Sequence, residues 1–200
     1  MDASPASTAC GTCSASSPPK RQSTEGPATQ QSPQSREAVL SLGSNQGDRL
    51  AWLARTGDAL NAWPGIRVLE SSRVYETEPV DVAPVFAGHL YLNRIVVVGT
   101  TLAADDFSRA IHAIEKRLGR TRGSVHNMPR TVDIDIITFG ALRSNAPDLT
   151  LPHPRARERR FVLQPLAELR PDLILPGERL TVSDLLRALP EVPRVTLFVP

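Results

Sequence analysis

An α/β (α+β) fold, an antiparallel-rich sheet with helices packed on it, is what three features of the 200-residue sequence predict. Two segments, Leu90–Val98 and Thr131–Ile137, are rich in β-branched and aliphatic residues and carry the alternation of strands. Two others, Leu50–Leu60 and Ala103–Leu118, repeat apolar residues at helical spacing. With the strand-like segments Ala38–Leu42 and Ile66–Tyr75, the order is β-α-β-β-α-β, followed by C-terminal additions. That order fits a ferredoxin-like βαββαβ unit, with helices on one face of the sheet. Such a fold hosts many functions and decides none by itself.

In chain order, residues 1–37 come first. No Val, Ile, Leu, Phe, Tyr or Trp occurs before Val39. A segment of this kind cannot bury enough surface to offset its ordering entropy, so a disordered Ser/Pro/Thr-rich tail is expected. It lacks the apolar stretch of a secretory signal. Residues 38–200 are expected to form a single domain.

Ala38–Leu42 reads as the first strand, and Gly43–Asp48 as a turn into a helix that Asn45 or Asp48 can cap. The turn lacks the Lys-Ser/Thr of a P-loop. Pro64-Gly65 ends the helix. After the strand-like Ile66–Tyr75, the stretch Glu76–Gly88 carries Pro79, Pro84 and Gly88, and reads as a loop that is functional or mobile. Leu90–Val98 follows, with Tyr91 and Asn93 on one face. The helix over Ala103–Leu118 leaves His112 and Glu115 off its apolar stripe, and Gly119 suits its C-cap. Residues 119–128 form a basic loop. Beyond the Asp-x-Asp strand, Asn145–Asp148 is a turn, and Phe161–Leu169 is partly helical and interrupted by Pro165. A helix over Val182–Leu189 and a strand over Val195–Val199 close the chain.

Composition narrows the function. Hydrophobic residues make up 40% and charged residues 22%, and no apolar run reaches the length of a membrane span. The net charge of +2 excludes a polycation built for nucleic acid. Charge is unevenly placed: residues 116–160 hold ten Lys/Arg against four Asp/Glu, which suits an anionic ligand. The two cysteines, Cys10 and Cys13, lie in the tail and have no second ligand pair, so neither a zinc site nor a redox motif is read from them. A domain without cysteine agrees with a cytoplasmic location.

Chemistry concentrates at Pro129–Ile137. Thr131, Asp133 and Asp135 point one way, and Val132, Ile134 and Ile136 the other. Carboxylates at i and i+2 of a strand stand about 7 Å apart. Their repulsion becomes attraction when divalent cations sit beside them. Hard cations such as Mg²⁺ take oxygen ligands and usually arrive with a substrate phosphate. No local cationic partner for either carboxylate is evident. The same pattern without metal is an edge strand with a wet face.

The segment Pro-Arg-Thr-Val-Asp-Ile-Asp-Ile-Ile-Thr-Phe-Gly (129–140) resembles the signature of the 6-hydroxymethyl-7,8-dihydropterin pyrophosphokinase family of folate biosynthesis. Four further segments occur in the family's order: Ser41–Asn45, Tyr75–Val80, Tyr91–Asn93, and Leu151–Pro154 leading to Arg159-Arg160-Phe161. Together they cover roughly Ala38 to Leu169. The resemblance implies Mg-dependent transfer of pyrophosphate from ATP to the pterin hydroxymethyl group, leaving AMP. It implies Asp133 and Asp135 as ligands of two Mg ions brought with ATP, Asp135 being also the nearest group to help the hydroxyl lose its proton. Arg120 and Arg130 match phosphate-gripping arginines. His112, Glu115, His153 and Arg159 match ATP contacts. Tyr91 and Phe161 match aromatics that sandwich the pterin, Asn93 its polar edge, and Thr77 and Val80 the loop completing that pocket. Three positions depart from the pattern. Met128 replaces a small residue, Asn127 stands where some members carry Trp, and Asp148 where some carry Arg.

The expected partners are ATP and a pterin, with no nucleic acid, no membrane and a monomeric chain. The alternative from another class is a ferredoxin-like RNA- or nucleotide-binding module without catalysis. Its RNA form needs exposed sheet aromatics in their own motif, and Asp133 and Asp135 would repel phosphate without metal.

Overall fold

The computed structural model describes residues 35–80, 88–119 and 131–200. The expectations for residues 1–34 of the tail, for Cys10 and Cys13, and for Arg120, Asn127, Met128 and Arg130 fall outside the described residues. The elements are β1 (Arg36–Ser44), α1 (Arg49–Asn61), β2 (Ile66–Ser71), β3 (Tyr75–Thr77), β4 (Tyr91–Thr100), α2 (Ala104–Arg117), β5 (Asp133–Phe139), β6 (Ser144–Ala146), β7 (Leu149–Leu151), α3 (Arg160–Leu169), α4 (Val182–Ala188) and β8 (Val195–Leu197). β1 begins two residues before the expected domain boundary.

The main sheet runs β5-β1-β4-β3-β8, with β2 also paired to β4. Every pairing in it is antiparallel. The order β5-β1-β4-β2 within it is the interleaving of a ferredoxin-like unit, as the element order predicts. β6 and β7 form a separate hairpin around the turn expected at Asn145–Asp148.

The two helices of the βαββαβ unit share one face, as expected, and C-terminal helices cover the other. On one face, Leu40, Leu42, Leu92, Val96 and Val98 join Leu53, Leu60, Phe107, Ile111 and Ile114 from α1 and α2. On the other, Val39, Ile95, Val97 and Ile137 join Val162, Leu163 and Leu166 of α3 and Val182 and Leu185 of α4. The cause is legible in β1 and β4, which are apolar on both sides and so need two covers. The C-terminal additions supply the second. Pro165 does not interrupt α3.

The single strand expected over Ile66–Tyr75 is two strands. At Ser72 the side-chain oxygen accepts from Ile95 N–H (2.9 Å), while Ser72 N–H donates to the Ile95 carbonyl (2.9 Å). A side chain thus takes a rung of the ladder, and Arg94 Nη2 donates to the displaced Ser72 carbonyl at 2.9 Å. Helix ends follow the sequence signals. Asp48 Oδ1 accepts from Ala51 N–H at 3.0 Å, and Gly119 closes the turn after α2 with φ +87°. Among the described residues no helix is long and apolar enough to cross a membrane.

Candidate active site

Strand register assembles the site. Gly43 on β1 pairs with Asn93 on β4 and with Asp133 on β5, and Asn93 pairs in turn with Tyr75 on β3. One row across four strands therefore reads Asp133–Gly43–Asn93–Tyr75. The flanking rows are Asp135–Ser41–Ile95 and Tyr91–Thr77. Directly paired residues share a face, and this face is the one that α3 and α4 cover. Its other end is core: Val39, Val97 and Ile137. The polar residues are thus gathered at one end of an otherwise apolar surface.

Asn93 is 4% exposed. Its Nδ2 donates to Thr77 Oγ1 at 2.7 Å, which fixes the amide plane. Tyr91 is half-buried at the first position of β4. Val80, three residues past Thr77, is half-buried too. Phe161 comes from the start of α3, on the same side of the sheet, and packs against the second core cluster.

Asp135 has cationic company from distant parts of the chain. Arg159 Nη1 donates to its Oδ2 at 3.2 Å, and His153 Nε2 lies 4.0 Å from the same oxygen. Arg159 is 24 residues distant in sequence, so no local pattern could show the pair. The Arg159 guanidinium also lies over the Phe161 ring, 5.4 Å from its centroid. His153 is held by its own N–H, which donates to the Ile137 carbonyl at 2.9 Å, and by Nδ1, which accepts from Arg155 N–H at 3.2 Å. An accepting Nδ1 leaves the ring proton of neutral His153 on Nε2, facing Asp135. Burial pushes the His153 pKa below its ordinary value, Asp135 pulls it back and Arg159 opposes protonation.

The α2 residues stand apart. Glu115 is 2% exposed, although the helical stripe omits it. Its Oε1 accepts from Ile134 N–H at 2.8 Å, a backbone group between the two aspartates. His112, one turn earlier, is exposed. Two contributors had no role of their own in the sequence reading: Gly43, which the resemblance places only within a turn beside the pterin pocket, and Ser41. Gly43 makes room for Asn93: a Cβ there would meet Asn93 Oδ1 at 3.0 Å. Ser41 is buried beside Asp135. β1 is apolar on both sides, so its own pattern marks neither; its register with β4 and β5 places them.

Among the described residues no three His, Cys, Asp or Glu side chains converge as a metal cage. Asp133 and Asp135 are half-buried on one strand face. Two protein carboxylates without softer ligands fit a hard divalent cation whose remaining ligands are water and phosphate.

Residues 39–171 match the model of the family described as 7,8-dihydro-6-hydroxymethylpterin-pyrophosphokinase (HPPK). The 2-amino-4-hydroxy-6-hydroxymethyldihydropteridine pyrophosphokinase of Methylorubrum extorquens is 40% identical over 141 residues, covering 70% of this chain and 87% of that protein. The enzyme of the same name from Bacillus subtilis is 39% identical over 132 residues, 66% of this chain and 77% of that protein. The Pneumocystis carinii folic acid synthesis protein fol1 is 35% identical over 148 residues, which are 74% of this chain and 19% of that longer protein. A Plasmodium falciparum HPPK-DHPS crystal structure superposes with a TM-score of 0.61 at 16% identity, over 77% of this chain and 45% of that one. At that identity the likeness speaks for the fold alone. With the family's match covering two thirds of the chain, including both aspartates, Asn93 and Arg159, the chain belongs to the 7,8-dihydro-6-hydroxymethylpterin-pyrophosphokinase family.

Proposed function

We propose that this protein transfers the β,γ-pyrophosphoryl unit of ATP to the hydroxymethyl oxygen of 6-hydroxymethyl-7,8-dihydropterin, in folate biosynthesis. The observation that carries this reading is the row Asp133–Gly43–Asn93, with Asp135 in the next row. It sets two carboxylates beside a buried amide on one sheet face.

The pterin's amide-like edge needs both a donor and an acceptor, and Asn93 has both. Thr77 holds that amide in plane. Tyr91 and Phe161 offer flat partners for the ring, and Val80 a side wall. Asp133 and Asp135 would hold Mg²⁺, two ions with ATP, whose chemistry is to neutralise the triphosphate oxygens. Arg159 and His153 stand at Asp135, where they can grip phosphate oxygens. Arg120 and Arg130 are assigned the same task, and His112 and Glu115 the nucleotide. The new bond joins the hydroxymethyl oxygen to the β-phosphorus. The bond that breaks links that phosphorus to the α,β-bridging oxygen, which departs with AMP. The hydroxyl proton passes to Asp135 or to solvent. In-line placement and electrostatic stabilisation supply the rate. We assign the protein to the cytoplasm and read it as a monomer that binds neither nucleic acid nor membrane.

The test is one incubation with ATP, Mg²⁺ and the hydroxymethyl dihydropterin. AMP should form with the pterin diphosphate. ADP in place of AMP, or no turnover together with Mg²⁺-independent, salt-sensitive RNA binding, would overturn the reading. Tyr91→Ala and Phe161→Ala should raise the pterin KM more than the ATP KM.

A further inference from the structure

We propose that Arg49 is a positioning residue for the pterin pocket, acting from the opposite face of the sheet. The inference rests on the assignment of the pterin to Asn93, Thr77 and Tyr91.

Arg49 is the first residue of α1. Its Nη1 donates to the Leu90 carbonyl at 3.0 Å and lies 2.9 Å from Glu76 Oε1. One nitrogen therefore uses its two hydrogens on two segments. Glu76 stands between Tyr75 and Thr77 on β3. Leu90 immediately precedes Tyr91 on β4. The turn before α1 follows the end of β1, where the bare Cα of Gly43 faces the Asn93 amide. Arg49 thus joins three segments beside the pocket: the turn that follows β1, the middle of β3, and Leu90 just before β4.

Glu76 pairs with Leu92, and Leu92 belongs to the core beneath α1 and α2. Cross-strand partners share a face, so the guanidinium meets β3 from the side away from Thr77 and Asn93. It cannot touch a ligand there, and its influence on binding must pass through the backbone.

Helix energetics give no reason for an arginine at this position. A cation in the first turn opposes the helix dipole, and α1 has no acidic residue there to offset it. Partly exposed pairs contribute little to stability, and these side chains are 27% and 28% exposed. What the contacts do is fix geometry. β3 has only three residues, and a displacement of Glu76 moves Thr77 and so the hydrogen bond that aligns Asn93.

The experiment uses the full chain and reads pterin KM, ATP KM, kcat and the unfolding midpoint. Arg49→Ala should raise the pterin KM about tenfold. The ATP KM and kcat at saturation should stay within about threefold. Arg49→Lys, which keeps a donor cation, should recover most of the loss. Should Arg49→Ala fail to fold, Glu76→Gln removes the carboxylate half alone and should raise the pterin KM in the same direction. An unchanged pterin KM in both variants, or an equal rise in both KM values, overturns the proposal. Asn93→Ala serves as the reference: if it binds pterin normally, the pocket assignment fails and this inference with it. Weak binding by Asn93→Ala beside normal binding by Arg49→Ala rejects the Arg49 role alone.

Discussion

Gly43 and Asn93 face each other across β1 and β4, and a Cβ on Gly43 would stand 3.0 Å from Asn93 Oδ1. Asn93 has little freedom to yield. It is buried, and its Nδ2 is fixed on Thr77 at 2.7 Å. Gly43→Ala should therefore rotate or displace the amide. We expect pterin affinity to fall roughly tenfold, with a stability loss of about 1 kcal/mol from overpacking. Calorimetric titration with the pterin and with an ATP analogue would check it. Equal weakening of both ligands would mean that the whole sheet had shifted.

The βαββαβ core of the fold and the face that Asp133, Asp135 and Asn93 occupy were legible from periodicity, whereas the break between β2 and β3 and the β6–β7 hairpin were not. Val132, Ile134 and Ile136 against Asp133 and Asp135 fixed that strand's orientation. What periodicity could not give was pairing between distant segments. The Arg159–Asp135 contact and the meeting of Gly43 with Asn93 depend on register, which one strand's pattern does not encode. The second helical layer was hidden for a similar reason. The alternation of β1 and β4 is weak because both faces are apolar, and a weak alternation does not say what covers the second face. Glu115 was misplaced relative to the core because a charged residue beside an apolar stripe ordinarily faces water.

Glu115 separates structure from substrate contact. Its carboxylate satisfies the Ile134 N–H, which lies between the two aspartates on an edge strand. Removing it leaves a buried donor unsatisfied, at about 1–3 kcal/mol. Glu115→Ala should lower the unfolding free energy by that amount, and Glu115→Gln, which keeps an acceptor, should lose much less. If Glu115→Gln instead retains stability but raises the ATP KM strongly, the charge itself serves the nucleotide.

Arg170 ties the end of α3 to the sheet. Its Nη1 and Nη2 reach Glu70 Oε2 and Oε1 at 2.8 and 2.7 Å, and Nη2 lies 3.4 Å from Glu37. The hydrogen bond from Arg170 holds the Glu70 carboxyl below its ordinary value, against a smaller opposing effect of burial. A depressed carboxyl contributes stability above its unfolded pKa and loses it as pH falls through the folded value. Arg170→Gln should accordingly be less stable than the parent from neutral pH down to about the ordinary Glu value of 4.5, with the difference shrinking as pH falls further. Denaturant midpoints across that range would measure it. A difference independent of pH would assign the effect to packing of the arginine stem.

The two aspartates should agree in activity. Either Asp133→Asn or Asp135→Asn removes one of the charges proposed to hold Mg²⁺, and AMP formation should fall by about 10²–10³. Without metal, each substitution relieves repulsion between carboxylates two residues apart on one face. For Asp135 that relief is set against the ion pair with Arg159 at 3.2 Å. The pair is partly exposed, with side chains 22% and 31% accessible, so its loss amounts to no more than about 1 kcal/mol. Asp135→Asn should thus have an unfolding midpoint equal to the parent's or slightly below it, measured in the absence of Mg²⁺. The same variant frees Arg159, whose grip on phosphate should loosen, so the ATP KM should rise as well. A folded Asp135→Asn protein that binds Mg²⁺–ATP normally and turns over at the parental rate would remove the two carboxylates from the mechanism.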